Sequence, residues 1–472
     1  MQVPSSRPSP YQVGFLLGEA LLMAGGAILA VYLRLGSTAE LFTWRYSWYR
    51  LLLVPVVLEI TFYYSDLHNF RISRPALWTV ARVAQALALG EVILAVIYYL
   101  VPALRLGRGV MLLSYFTTLG LVLVWRGVYG WALRQRLLAT RLMIVGSGSL
   151  ADAILEELTT RADNVYDVVC ILDVGYPPDE PPELNLAWAW AGLLKAEVRR
   201  EVEELVGLVR YHNVDLIVVA MDERRGQMPL EQLLRCKMLG VPVMMGEDFF
   251  EAIAGRLLAS RIRPGWLVFS PGFSTSTLRR YTKRAMDLAM SVIGLVLASP
   301  IMLLSALAIV AEDGLPVLYK QQRVGQNENV FVLYKFRSMR KDAEADTGPT
   351  WAREDDPRVT RVGRVLRKLR IDELPQLVNV LKGEMSFVGP RPERPFFVKR
   401  LEQKLPYYRE RHNVKPGITG WAQVCYPYGA SEAAALEKLN YDLYYIKHSS
   451  LSMDVMIIIQ TIKIMLFGGG GR

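Results

Sequence analysis

The sequence predicts a membrane protein of mixed α and α/β architecture. It should hold a four-helix transmembrane bundle, a doubly wound α/β middle domain, and a mainly α domain with a re-entrant membrane helix and a small β-hairpin. Three observations carry this prediction. The 472 residues are 52% hydrophobic with a mean hydropathy of +0.21, longer and more apolar than one soluble domain. Apolar runs near the ~20 residues that cross hydrocarbon crowd the N-terminal part of the chain. Charge then alternates, with 12 basic and 5 acidic residues in 1–140, 13 and 20 in 141–278, and 30 and 20 in 279–472. Basic ends face phosphates or anionic lipid and an acidic middle faces water, although composition alone does not separate lipid from nucleic acid.

Residues 1–140 read as the transmembrane region. The opening MQVPSSRPSPYQ lacks the basic start and cleavage site of a secretory signal, so the first apolar run is expected to be retained. Four spans follow, Val13–Leu33, Tyr49–Tyr64, Leu77–Val101 and Val110–Leu133, the second being the shortest. Trp44, Trp48, Tyr63, Tyr64, Tyr98 and Tyr99 gather near span ends as an aromatic belt does. Glu19, Glu59 and Glu91 fall inside spans and are expected to face other helices. With both termini cytoplasmic, Arg7, Arg71, Arg74, Arg134, Arg136 and Arg141 lie inside, against Arg34, Arg45, Arg105 and Arg108 outside. The positive-inside margin points inward.

Residues 141–263 read as a Rossmann-like α/β domain. RLMIVGSGSLADAILEEL is an apolar strand, a Gly146-Ser-Gly148 turn and a helix, with Ala151 in the place of a third glycine. VYDVVCILDV, VDLIVVAMDE and VPVMMGEDF supply further strands, and AEVRREVEELVGLVRYH reads as an intervening helical stretch. Asp173 closes a strand at about the distance that meets a ribose. Either a bound dinucleotide or a scaffold that keeps only the fold satisfies this pattern. YPPDEPP is a loop. Cys170, Cys236 and Cys425 lack metal-ligand spacing, so neither a disulfide framework nor a zinc site is expected.

A linker over 264–282 leads to residues 283–313, where about 25 mostly apolar residues separate Lys283-Arg284 from Glu312-Asp313. That length could cross a bilayer once. A fifth crossing would carry the basic C-terminal region outside, against the inward positive margin. Pro300, following Ser299 in mid-run, loses the bond to Val296 and bends a helix. A re-entrant helix that enters and leaves by one face meets both points, with Ser299 or neighbouring helices satisfying the backbone at the break.

Residues 314–472 hold the chemistry. VLYKQQRVG and VFVLYKFRSMR form a hairpin, and basic residues recur at Lys335, Arg337, Arg358 and Arg361. Asp372 and Glu373 then stand side by side within a run containing Arg364, Arg367, Lys368 and Arg370. Pro375 is tolerated only in a first helical turn, so the helix bearing Leu377, Val380 and Leu381 starts close to Asp372. Backbone donors and arginines there suit an anion and are expected to keep Asp372 ionised. Arg391 between Pro390 and Pro392 offers a planar fork for two phosphate oxygens. Lys335 and Arg337 could equally serve a bound phosphate or lipid headgroups. Near the C-terminus, MDVMIIIQTIKIMLF is too short to span and is expected along the interface, with Tyr441, Tyr444 and Tyr445 either anchoring at headgroup depth or packing on the core. GGGGR ends the chain as a tail.

Five ordered motifs, Q-x-R-x-G at Gln321 to Gly325, KFRSM at Lys335 to Met339, DPRVTRVG at Asp356 to Gly363, DELPQLxNVLxGEMSxVGPRPE from Asp372 and KPGITGWAQV from Lys415, resemble the bacterial polyprenyl-phosphate sugar-1-phosphate transferases over roughly residues 280–467. The whole chain resembles their large monotopic phosphoglycosyl transferase form, which initiates exopolysaccharide or O-antigen synthesis. YPYGAS and NYDLYYIKHSSL are closest to the exopolysaccharide branch. Glu328 stands where the family usually has glycine, and Cys425 where many members have asparagine near the sugar or nucleotide pocket, so donor identity does not carry over.

The resemblance implies transfer of hexose 1-phosphate from a UDP-sugar to undecaprenyl phosphate, with Mg²⁺, at the cytoplasmic face of the bacterial inner membrane. Asp372 matches the nucleophile and Glu373 a metal holder, with Lys335, Arg337, Arg358, Arg361 and Arg391 in the Pro390–Pro392 turn as anion contacts. Membrane lipid is a partner, nucleic acid is not, and a homodimer is left open. A membrane-anchored nucleotide-sugar dehydratase is disfavoured because no Tyr-x-x-x-Lys pair follows the glycine turn. A non-catalytic scaffold for polysaccharide assembly leaves the carboxylates among arginines unexplained.

Overall fold

The computed structural model describes residues 10–36, 48–68, 76–104, 107–135, 139–160, 165–174, 194, 196–199, 205–222, 228–262, 264–273, 276–341, 343, 356–426, 429 and 431–467. Outside them lie most of the polar opening, YPPDEPP, residues 344–355, the GGGGR tail, Trp44, and Arg7, Arg45, Arg71, Arg74, Arg105 and Arg136. The chain divides into two compact units, essentially Ser6–Phe249 and Phe250–Arg472.

In the first unit the apolar runs form α1 (Pro10–Leu35), α2 (Trp48–Tyr64), α3 (Ala76–Leu100) and α4 (Arg108–Arg134). The stretches Val13–Leu35, Leu77–Leu100 and Arg108–Leu133 are long and apolar enough to cross a membrane, while α2, with Pro55 inside it, is shorter. Met23, Leu58, Phe62, Leu87 and Val122 fill the space between the helices. The acidic residues face inward as expected of charges in an apolar span. Glu19 is fully buried and gripped at both oxygens by Arg126, at 2.7 and 3.0 Å, and Glu59 pairs with His68 at 3.0 Å.

The same unit holds β1 (Thr140–Val145), α5 (Ser149–Thr159), β2 (Tyr166–Leu172), β3 (Glu197–Arg199), α6 (Leu205–Tyr211), β4 (Leu216–Val219), α7 (Leu230–Met238) and β5 (Val243–Met245). The strands make one parallel sheet in the order β3-β2-β1-β4-β5, the reversal beside β1 that characterises a doubly wound sheet. β1 is central, and Leu142 to Val145 are fully buried, which is why its sequence is an unbroken apolar run. The stretch 196–212 is not one helix. Cys170 pairs with Glu197 and Leu172 with Arg199, so the open edge of β2 draws the start of that stretch into β3, with α6 described over Leu205–Tyr211. Helix α8 spans Gly246–Ala254.

The second unit contains α9 (Pro264–Phe269), α10 (Thr277–Asp313), β6 (Leu318–Val324), β7 (Val330–Phe336), α11 (Arg361–Lys368), α12 (Gln376–Lys382), β8 (Ser386–Val388), α13 (Pro395–Glu402), β9 (Gly417–Thr419), α14 (Trp421–Cys425), α15 (Glu432–His448) and α16 (Leu451–Phe467). The expected linker over 264–282 is therefore largely helical. Helix α10 starts six residues early because Ser276 caps it, its hydroxyl accepting from Arg279 N at 3.3 Å. The helix is continuous through Pro300, and Ser299 Oγ donates at 2.8 Å to the Val296 carbonyl that the proline leaves unpaired.

Trp421, fully buried with its indole N–H on the Gly255 carbonyl at 2.8 Å, centres a core with Val388, Leu443, Tyr444 and Ile457. Tyr441, Tyr444 and Tyr445 are all buried in it, so packing rather than headgroup anchoring accounts for them. Helix α16 turns Met453, Asp454 and Ile457 inward and leaves Val455, Ile459, Ile462 and Met465 exposed.

Candidate active site

The site is assembled from three stretches that are far apart in sequence. The first is the turn Ile371–Glu373, a single 3-10 turn that hands over at Pro375 to α12, as the proline requires. Arg370, just before it, adopts the left-handed region at φ 57°, a conformation costing a non-glycine residue ~1–2 kcal/mol, so the surrounding structure holds the turn in place. The second stretch is β7. Asn379 on α12 is fully buried and stitches helix to strand, its Oδ1 accepting from Tyr334 N at 3.1 Å and its Nδ2 donating to Val332 O at 2.7 Å. The adjacent Lys335 is thereby aimed at Glu373, Nζ to Oε1 2.9 Å.

The third stretch is Pro390-Arg391-Pro392. Successive carbonyls here are each engaged: Pro390 O by Gly417 N at 2.9 Å, Arg391 O by Arg411 Nη2 at 3.0 Å, Pro392 O by Arg323 Nη1 at 3.0 Å, and Glu393 O by Val324 N at 2.9 Å. Arg411 is itself buried against Asp442 at 2.7 Å. Both prolines are buried, and Arg391 projects to Glu373 Oε1 at 2.9 Å. Close packing explains Gly389 and Gly417 of the last two motifs: a Cβ on Gly417 would lie 2.1 Å from Gly389 N.

The electrostatics of the two carboxylates diverge. Burial disfavours the charged form of Glu373, yet Lys335, Arg391 and Arg370 outweigh it and hold this carboxyl far below the usual range. Burial, reinforced by the Glu373 anion, pushes the Asp372 carboxyl up, with Lys335, Arg370 and Arg367 pulling weakly the other way. The cationic surroundings thus fix the charge of Glu373 first, contrary to the expectation that they serve Asp372. Asp372 is 8% exposed, and its Oδ1 has no hydrogen-bond partner among the described residues. Burial pulls the Lys335 ammonium down, opposed chiefly by Glu373.

The remaining expected anion contacts are placed differently. Arg337 is buried and donates to the Asp313 and Gly314 carbonyls at 3.0 and 2.6 Å, closing the C-terminus of α10. Arg358 forks onto both oxygens of Asp356 at 2.8 and 2.6 Å and donates to Ala343 O at 2.8 Å. Arg361 starts α11 with an exposed side chain, its backbone N–H held by Glu312 at 2.8 Å. Cys425 is 2% exposed and packs within the core around Trp421. Glu328 takes φ 62°, the glycine-favouring region its position implies, and Arg409 braces its carboxylate at 2.9 and 3.1 Å.

Two positioning residues escape the sequence reading. Asn379 is one, and its signal was available as a polar residue on the helix face that carries Leu377 and Val380. Asp287 is the other. It accepts from Ser386 Oγ and Phe387 N, each at 3.0 Å, and so ties α10 to the strand leading into the Pro390 turn.

Comparison with known proteins gives the following. A family described as bacterial sugar transferase matches residues 278–468, and one described as a CoA-binding domain matches residues 64–245. The chain is 42% identical over 269 residues to the UDP-N-acetylgalactosamine-undecaprenyl-phosphate N-acetylgalactosaminephosphotransferase of Aeromonas hydrophila, covering 57% of this chain and 62% of the relative. It is 35% identical over 353 residues to the undecaprenyl-phosphate glucose phosphotransferase of Komagataeibacter xylinus, covering 70% and 60%. It is 41% identical over 194 residues to the exopolysaccharide production protein PSS of Rhizobium leguminosarum bv. phaseoli, covering 40% of this chain and 97% of that one. The matches to the first two relatives span about six tenths of their length.

Proposed function

The chain belongs to the bacterial sugar transferase family, and on that premise we propose that it transfers hexose 1-phosphate from a UDP-sugar to undecaprenyl phosphate. The observation that carries this reading is the buried pair itself: Asp372 with an unpartnered oxygen, next to a Glu373 whose charge Lys335 and Arg391 neutralise. A diphosphate donor meeting a lipid phosphate brings anion to anion, so cations must already be arrayed where the transferred phosphoryl group passes.

In the proposed sequence, a carboxylate oxygen of Asp372 attacks the phosphorus bonded to the sugar. The bridging P–O bond breaks, UMP leaves with that oxygen, and an acyl phosphate links the sugar to Asp372. A phosphate oxygen of the lipid then attacks the same phosphorus and returns the carboxylate. A general-base role for Asp372 is less suited, because a phosphate monoester with second pKa ≈ 6 is largely ionised already at neutral pH. The two carboxylates offer only oxygen, and the unpartnered buried one is Oδ1 of Asp372, a setting that suits a hard cation such as Mg²⁺, which Glu373 would hold beside it. When bound, such a cation would offset charge on the donor's phosphates. Arg391 is placed to exchange Glu373 for a donor phosphate oxygen, and the exposed Arg361 to meet an incoming anion.

The reading extends to topology: α10 is re-entrant, and the site faces the cytoplasm at the inner membrane. What supports this is that both ends of α10 hold the same domain. Near its start, Arg284 donates to Val380 O and Leu381 O at 2.6 and 2.7 Å, and Asp287 holds Phe387. Near its end, Glu312 takes the N–H groups of Arg361 and Val362 at 2.8 and 2.9 Å. Between these points Val292, Val296, Leu297, Leu304 and Leu307 are exposed, an apolar face suited to lipid.

The experiment is single turnover with a UDP-sugar and no lipid acceptor. Wild type should release a burst of UMP and carry a phosphosugar adduct on the peptide containing Asp372, and Asp372→Asn should do neither. UMP release that strictly requires the acceptor would refute the covalent step.

A further inference from the structure

The family matched over residues 64–245 is described by CoA binding, and a glycine turn between β1 and α5 is where a doubly wound sheet would receive the diphosphate of such a ligand. The residues here do not fit that ligand. Helix α5 is capped by Gly148, which has no side chain of its own to satisfy the first N–H groups. Asp222, three residues beyond β4, does so instead. Its Oδ2 accepts from Ser149 N at 2.6 Å and its Oδ1 from Leu150 N at 3.3 Å.

Those donors are the ones a pyrophosphate would need. In a dinucleotide site the second glycine is free of side chain so that backbone can approach the phosphates. The space that Gly148 opens is filled by protein: a Cβ there would lie 2.5 Å from Asp222 Oδ2. Gly146, at φ 116°, is likewise pressed on the end of β4, where a Cβ would come within 2.8 Å of Ala220 O. Where the strand order reverses between β1 and β4, Ala220, Met221 and the exposed Asp222 thus crowd both glycines of the turn. Asp173, placed where a ribose would be met, is 5% exposed.

We infer that Asp222 is a built-in anion occupying the diphosphate position of this domain, and that the glycine turn binds neither CoA nor a dinucleotide. The domain keeps the fold of a nucleotide-binding module with its ligand replaced by a side chain. This concerns the first unit and does not depend on the transfer reaction proposed for the second.

The test uses the full chain in detergent, with CoA, NAD⁺ and inorganic pyrophosphate as probes. Wild type should show no saturable calorimetric binding of any of the three, and slow amide exchange at Ser149 and Leu150 that none of them alters. In Asp222→Ala those two amides should exchange roughly tenfold faster, as expected for a lost helix cap, and millimolar pyrophosphate should restore their protection. Asp222→Asn, which keeps the shape and removes the charge, should behave likewise to a smaller degree and guards against misfolding of the alanine variant. Saturable binding of CoA or NAD⁺ to wild type with added protection at residues 147–150 would overturn the inference. So would unchanged exchange at Ser149 and Leu150 in both variants.

Discussion

Lys335 influences both carboxylates at once, and that makes it the informative single position. It lies 2.9 Å from Glu373 and also lowers the pKa of Asp372, which burial has raised. If an ionised Asp372 attacks phosphorus, kcat/KM falls as pH drops through that raised pKa. Removing the ammonium raises it further. Lys335→Met should therefore move the acid limb of the pH profile to higher pH and cut plateau kcat by about 10²-fold, the usual cost of deleting one group aimed at a transferring charge. An acid limb that stays in place in a folded Lys335→Met protein would show that Asp372 does not set it. The Asp372-Glu373 pair was legible because Pro375 fixes where the helix begins. The partners were not, since Lys335 and Arg391 lie 38 and 18 residues from Glu373 and reach it only through tertiary packing. Nor was the use of Arg337 and Arg358, since an arginine that closes a helix end looks in sequence like one that awaits a phosphate.

Elements carry the geometry that places those residues. Strands β8 and β9 approach so closely at Gly389 and Gly417 that neither position has room for a methyl group. Gly417→Ala should cost about 3 kcal/mol, the upper range for overpacking a closed site, and should displace the Pro390 turn with loss of activity. Gly25→Ala in α1, where a Cβ would meet nothing within 4 Å, should not lower the melting temperature, since alanine is the better helix former by about 0.5–1 kcal/mol. A Gly417→Ala protein as stable as the parent would mean that the two strands can part without penalty. Helix α10 gives a second element-scale expectation. Cysteines replacing exposed Arg280 and Ala311 should react with an impermeant maleimide from one and the same side of a sealed vesicle, against a background of three buried native thiols. Labelling of the two from opposite sides would establish a full crossing. The Ser299-Pro300 step was readable because its hydrogen bonding is local. Strand β3 was not, because three residues of ambiguous propensity were claimed by the open edge of β2.

At the scale of the whole molecule, the apolar runs of residues 1–140 and the strand–glycine–helix pattern after Arg141 announced a set of long apolar helices and a parallel sheet. The fate of the glycine turn depended on Asp222, some seventy residues away, and could not be read. Since residues from Phe250 onward form their own compact unit, a chain beginning at Gly246, which keeps α8 whole, should release UMP within roughly tenfold of the intact protein. Complete loss of turnover in a well-folded truncated chain would assign the residues before Gly246 a direct part in the chemistry. On the proposed topology, the double fastening of α10 has a mechanical consequence. A body moored at bow and stern cannot pitch, so the depth at which Asp372 rides beside the bilayer is fixed at folding and no tilting stroke brings it to the lipid. An acceptor then has to present its headgroup at one altitude, and isoprenyl phosphates of differing tail length should serve alike wherever their phosphates float at that level.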